Sequence, residues 1–203
     1  MSGSAPTTRM RARADAVEAT RARLIQAGLD AFGARAYDEV TIAAVAAAAG
    51  VSHQTLLNHF GSKEGLYLAL VDSVGDEIAD LRSSAVAGDV ESIVGALMDQ
   101  YERFGDGNAR AATLNERIPA VAAMLDRARG YHQEWLATMF AGSLPAAGAA
   151  RRDALAALHA ATDVFTWRLL RRDLGLSRQA TADVITRLLA AGLHCKPPAR
   201  RSS

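Results

Sequence analysis

The stretch Thr41–Lys63, TIAAVAAAAGVSHQTLLNHFGSK, carries two helical periods separated by a single glycine. Ile42, Val45, Ala46 and Ala49 recur at helical spacing on one face, Gly50 breaks the period, and Ser52 is placed to cap a second helix that turns Leu56 and Phe60 inward. Two short helices joined by a tight turn make a helix-turn-helix, in which the first helix props the second into the major groove of DNA. The alanines permit close backbone approach at the crossing. Gly50 suits the position just past a helix C-terminus, where positive φ is common and only glycine adopts it without penalty.

Upstream, from about Ala16 to Arg35, Leu24, Ile25, Gly28, Leu29 and Phe32 share one stripe, which is expected to cover the back of the helix-turn-helix. Residues 1–15 lack apolar period and read as a disordered basic arm. Five arginines before position 24 face only Asp15 and Glu18, so this end offers sequence-independent attraction to phosphate. Downstream, Ser62 caps a fourth helix that starts at Lys63 and carries Leu66, Tyr67, Leu70, Val71 and Val74 to about Ser83. Residues 16–65 are thus expected to form the DNA-binding domain. The first residues of its third helix, about Ser52 to His59, should meet base edges. Gln54 has the geometry to pair with adenine, Thr55 to touch a thymine methyl, and His53 to donate to guanine or phosphate.

Thr41-Ile42, Val45-Ala46, Ala49-Gly50-Val51-Ser52, Thr55-Leu56, His59-Phe60 and Lys63-Glu64-Gly65-Leu66 resemble the DNA-binding domain of the TetR family of bacterial transcriptional regulators, over about Leu24 to Leu70. The resemblance implies that Thr41 and Lys63 lie against phosphates, that Ser52–His59 occupies the groove, and that Asn58 and His59 meet the DNA backbone. It also implies a C-terminal domain that dimerises and binds a small ligand. Two positions depart from the family pattern. Ala36 stands where a glycine commonly ends the turn, and Leu57 stands where a tyrosine usually reaches a phosphate. Leucine cannot make that hydrogen bond, a loss of about 1 kcal/mol net.

The rest of the chain also reads as helical, giving an all-α fold: an N-terminal three-helix helix-turn-helix domain followed by a C-terminal helical domain over residues 66–194, with 195–203 a disordered basic tail. An amphipathic segment from Ile93 to Phe104 is expected to end at the turn-rich Gly105-Asp106-Gly107-Asn108, followed by a short helix to Arg117. Pro119 opens a longer helix through about Phe140. Leu155, Leu158, Thr162, Phe165 and Leu169 alternate spacings of three and four in what reads as one helix reaching Leu174. With Val184 and Leu188 of the last helix they form the expected dimer seam, a four-helix bundle between two chains. Tyr101, Phe104, Met124, His132, Trp135 and Phe165 supply aromatic, sulfur and polar groups of the kind that line an apolar ligand pocket, and equally of the kind that fill a helical core.

A net charge of +1 does not by itself announce a nucleic-acid binder. The one cysteine, Cys195, excludes an intramolecular disulfide and fits a reducing cytoplasm, and with His194 it does not make a metal site. No run of 18 apolar residues or secretory signal pattern occurs, so a cytoplasmic protein without membrane contact is expected. Gly-rich phosphate loops, metal-ligand clusters and nucleophile elbows are missing, which argues against an enzyme and calls for no cofactor. The expected partners are double-stranded DNA, a second copy of the chain and a small, largely apolar ligand. The alternative is a helical dimeric small-molecule-binding protein, or an activator whose DNA binding is not ligand-controlled.

Overall fold

The computed structural model describes residues 8–114 and 117–194, and all of its regular structure is helical. The chain divides into two compact units, residues up to Gly75 and residues from Asp76 on, with the division inside one helix.

The first unit holds α1 (Thr8–Ala34), a 3-10 turn (Tyr37–Glu39), α2 (Ile42–Ala48), α3 (His53–Phe60) and the start of α4 (Lys63–Ser83). Leu24, Phe32, Val40, Val45, Leu56, Leu66 and Leu70 are buried together as its core. Helix α1 begins eight residues before the point set by apolar period, which corrects the expectation of an unstructured arm for residues 8–15, residues 1–7 lying outside the described residues. Arg9 to Ala19 are exposed throughout, so no apolar stripe marks them. Their arginines and alanines are strong helix formers, and no glycine or proline follows Pro6 until Gly28. Ala36, at the position of a family glycine, sits at φ −63° and needs no glycine. Its N–H donates to Glu39 Oε2 at 3.2 Å.

In the second unit, α5 (Val90–Ala112), α6 (Pro119–Met139), α7 (Gly148–Thr162), the short α8 (Val164–Arg168) and α9 (Arg178–His194) surround Ile93, Leu97, Met98, Leu136, Phe140, Leu158, Trp167, Ile185 and Leu189. Two boundaries differ from the sequence reading. Helix α5 runs straight through Gly105–Asn108: Gly105 is a close-packing position, where a Cβ would stand 2.5 Å from the Trp167 ring, and Asp106 pairs with Arg172 at 3.0 Å. The expected single helix from Leu155 to Leu174 is broken at Asp163, whose ψ of 149° leaves the helix and whose Oδ1 accepts from the N–H of Phe165 at 2.8 Å. A π-turn at Leu169–Asp173 then follows α8. Cys195 and the basic tail lie outside the described residues, as do Asn115 and Glu116.

Replacing Gly105 with alanine gains about 1 kcal/mol of helix propensity but drives a methyl into the Trp167 ring. The clash is expected to win, with a net loss of about 1–2 kcal/mol in urea denaturation.

Candidate functional site

The geometry of the first unit begins with two caps. Thr41 Oγ1 accepts from the N–H of Ala44 at 3.2 Å and opens α2. At its other end the N–H of Val51 reaches the carbonyl of Ala46 at 2.9 Å and that of Gly50 reaches Ala47 at 3.0 Å, with Gly50 at φ 69°. This pair of bonds closes the helix end and reverses the chain. Ser52 then caps α3, its Oγ accepting from the N–H of Thr55 at 3.1 Å and lying 2.9 Å from the Thr55 hydroxyl.

With the register of α3 fixed at Ser52, Leu56 is fully buried and His53, Gln54 and Asn58 are exposed. Gln54 Nε2 donates to Asn58 Oδ1 at 3.0 Å, one turn on, so both amides lie on the same outer face. The bond fixes the Gln54 amide, whose carbonyl oxygen and second N–H make no bond among the described residues. Thr55, Leu57 and His59 are partly covered, and His59 lies against Phe60 with ring centroids 5.9 Å apart. Leu57 therefore offers an apolar side chain at the edge of the reading face.

Two contacts that sequence reading missed hold the frame. Lys63 Nζ sits 4.4 Å from the centroid of Tyr37, which packs with Phe32 and Tyr67 in a three-ring cluster. Arg21 of α1 lies over Phe60 at 5.6 Å. Ser62 Oγ accepts from the N–H of Gly65 at 3.0 Å, and a Cβ on Gly65 would stand 2.1 Å from the Phe60 carbonyl oxygen. The end of α3 and the start of α4 are thus in backbone contact. A groove of about 460 Å³ opens between α1 and α2, lined mainly by alanines with Gln26 and Asp30, and none of the sequence-selected pocket residues borders it.

In the second unit, Tyr101, Met124 and His132 are buried, and Trp135 and Phe104 are partly so. The structure joins some of them into a polar centre. The Tyr101 hydroxyl donates to the Thr162 carbonyl at 2.7 Å, and the Thr162 hydroxyl donates to the Leu158 carbonyl at 2.8 Å. His132 Nε2 lies 2.9 Å from that hydroxyl, and its ring packs on Trp135 and edge-on to His159, which is 3.6 Å from Asp163. Arg82 is also buried here, its Nε donating to Gln100 Oε1 at 2.7 Å. Neither residue was selected from sequence, although Arg82 continues the α4 stripe of Val71, Val74 and Ile78, where a charged residue is a signal in itself.

Two seam residues and one pocket residue need correction. Leu158 and Thr162 are both fully buried within the chain, against α9 and the polar centre, so they do not reach a second copy. Phe165 is 48% exposed, which removes it from any pocket inside one chain; the break at Asp163 turns it outward. Leu169 and Leu188, 50% and 42% exposed, likewise present apolar side chains to solvent, while Leu155 and Val184 are partly covered.

A short capped helix offering a glutamine–asparagine face, held by a glycine turn against a supporting helix, defines a helix-turn-helix DNA-binding protein. Residues 24–70 match the profile described as bacterial regulatory proteins, tetR family. The chain is 29% identical over 202 residues to the HTH-type transcriptional repressor Rv3405c of Mycobacterium tuberculosis, spanning 91% of this chain and 96% of that protein. Its fold is shared with a tetR-family transcriptional regulator from Streptomyces coelicolor, at a TM-score of 0.65 and 23% identity over 85% of this chain and 80% of that one. A TetR-like transcriptional regulator from Rhodococcus sp. RHA1 shares it at a TM-score of 0.58 and 21% identity, over 87% and 97% of the two chains. Residues 24–70 carry the DNA-binding domain of the tetR family, and the relatives and the shared fold support a TetR-family regulator.

Burial, then the charges of Arg82 and His159, push His132 down to about 3. Below the ordinary histidine value near 6.5 the unfolded chain takes up a proton that the folded chain refuses, so stability falls as pH drops from about 6.5 toward 3, at a limiting slope of about 1.4 kcal/mol per unit. His132→Gln should flatten the dependence of the melting temperature on pH between 6.5 and 4.

Proposed function

We propose that the protein is a homodimeric repressor that binds a roughly palindromic operator in the cytoplasm and releases it when a small molecule enters the second unit. Residues 16–65 act as the reading head and residues 66–194 as the regulatory and dimerisation part. The observation that carries this reading is the exposed Gln54–Asn58 face of α3, locked in register by the Ser52 cap and the buried Leu56. Each protomer inserts α3 into one major groove, and two-fold symmetry sets the two helices about one helical turn, ~34–36 Å, apart. His53, Gln54 and Thr55 read bases, while Thr41, Ser52, Asn58, His59 and Lys63 contact the DNA backbone, with Leu57 against a thymine methyl. Lys63 needs only to leave the face of Tyr37 to reach a phosphate.

A relative of nearly the same span carries the name of repressor, which supports that sign of regulation. Repression follows from occupying DNA that polymerase must enter. Release requires that the ligand bind a non-matching arrangement of the two heads more tightly than the matching one, since equal affinity shifts nothing. Phe165, Leu169 and Leu188 form the contact between protomers, with Leu155 and Val184 at its margin.

Fluorescence anisotropy tests the reading. DNA from beside the protein's own gene and sequences selected from a random pool should bind far more tightly than a scrambled duplex, in steps of two chains, at both low and moderate salt. Equal affinity for all duplexes at both salts refutes it. Gln54→Ala should cost about 1–3 kcal/mol and relax preference at one base pair. Lys63→Ala should weaken all sequences alike and reduce the salt slope by about one unit. The double substitution Phe165→Glu, Leu169→Glu should give folded monomers in light scattering, because both side chains already lie in solvent on a single chain.

A further inference from the structure

The polar centre of the second unit contains a cation without an anion. The Arg82 side chain is 6% exposed, and its one hydrogen bond among the described residues is from Nε to Gln100 Oε1. Trp135 and Tyr131 flank the guanidinium, their ring centroids 5.0 and 5.9 Å from Cζ. No ion pair joins Arg82 to a described carboxylate. The buried phenol of Tyr101 does not substitute for one: burial pushes it up, so it stays neutral, and its hydroxyl is committed to Thr162. Burial also lowers the Arg82 value. A buried charge is ordinarily paired and hydrogen-bonded, and leaving it unpaired costs stability.

A second open position lies on the same aromatic ring. Trp135 packs on His132, whose Nε2 faces the Thr162 hydroxyl. That hydroxyl already donates to Leu158, so it accepts from His132, which places the imidazole proton on Nε2 and leaves Nδ1 a bare acceptor. Nδ1 is buried and meets no donor. Tyr131, 51% exposed, forms the outer rim. An arginine held at Nε by a neutral amide presents its other N–H groups as a fork, the geometry that grips a carboxylate by two parallel bonds.

Resting on the ligand-controlled reading above, we propose that the molecule bound in the second unit is an organic carboxylate, its acid group held by the Arg82 fork and its apolar or aromatic body against Trp135 and Tyr131. Gln100 is a positioning residue that sets the plane of the guanidinium. Arg82 is on α4, the helix that begins at Lys63, so the anion anchors to the same helix that starts at the reading head. The class narrows the small, largely apolar ligand expected from the sequence to one that carries an acid group, and the narrowing comes from one charge.

The test uses full-length protein with 3-phenylpropanoate and octanoate, each beside its neutral primary amide. Thermal shift and tryptophan fluorescence are followed in the wild type and in Arg82→Gln, which keeps a hydrogen-bond partner for Gln100 and removes the charge. At least one acid should bind the wild type about tenfold or more tightly than its amide, and this preference should vanish in the variant. The ligand-free variant should melt no lower than the wild type, because an uncompensated charge has been removed. Equal binding of acid and amide, no binding by either acid, or a preference that persists in Arg82→Gln overturns the proposal. Release of pool-selected DNA by an amide as effectively as by its acid would leave ligand control standing and remove the carboxylate class, whereas loss of specific DNA binding altogether would remove the underlying reading.

Discussion

The exposed face of α3 depends on the left-handed turn at Gly50. Its φ of 69° lets the N–H groups of Gly50 and Val51 return to the carbonyls of Ala47 and Ala46, and an L side chain there would be strained. Everything after it inherits the reversal. Ser52 follows at once and fixes where α3 begins, and the start of a helix fixes its rotation: a shift of one residue turns each side chain by about 100°. In the observed register Leu56 points into the core and Gln54 and Asn58 point out. A change at the turn would act on DNA recognition through register, without any contact to DNA.

The fourth helix is tied to this frame by close approach and by aromatic packing. Gly65 admits the Phe60 carbonyl where a Cβ would collide, and the cluster of Phe32, Tyr37 and Tyr67 joins α1, the 3-10 turn and α4. Lys63 rests on the face of Tyr37, an attraction of about 0.5–1 kcal/mol at a partly exposed site. That is enough to keep a flexible ammonium near one place. It is weaker than a charge-assisted bond to a phosphate oxygen, so the contact orders Lys63 in the free protein without committing it.

Local interactions were legible in the sequence, and interactions across the chain were not. The caps at Ser52 and Ser62 and the turn at Gly50 span three to six residues, and their chemistry is written in the residue types. Gly105 is the opposite case. Its neighbours Asp106, Gly107 and Asn108 read as a turn, but the glycine answers to Trp167 and the aspartate to Arg172, some sixty residues on. Leu158 and Phe165 fall on one seam by spacing. They separate because Asp163 interrupts the helix between them, and an aspartate on a helical stripe does not announce whether it caps or continues. The exposed N-terminal half of α1 escaped for another reason: apolar period detects burial, and these residues are helical without being buried.

The break at Asp163 also explains how a polar centre is tolerated within the second unit. In an unbroken helix the Thr162 carbonyl would accept from the N–H four residues on. With Asp163 extended, it accepts instead from the buried Tyr101 hydroxyl, while the Thr162 hydroxyl bonds backward to Leu158 and accepts from His132. The interruption thereby satisfies the buried Tyr101 donor on α5, and the hydroxyl of the same threonine satisfies His132 on α6. Among the described residues the same economy does not extend to Arg82, which forms no ion pair, or to His132 Nδ1, which meets no donor, and both side chains lie against Trp135. Apolar side chains of similar volume would make a more stable interior at both places. Tyr101 and Thr162 complete their hydrogen bonds, whereas the Arg82 fork beside Trp135 does not among the described residues, and a bound carboxylate would complete it.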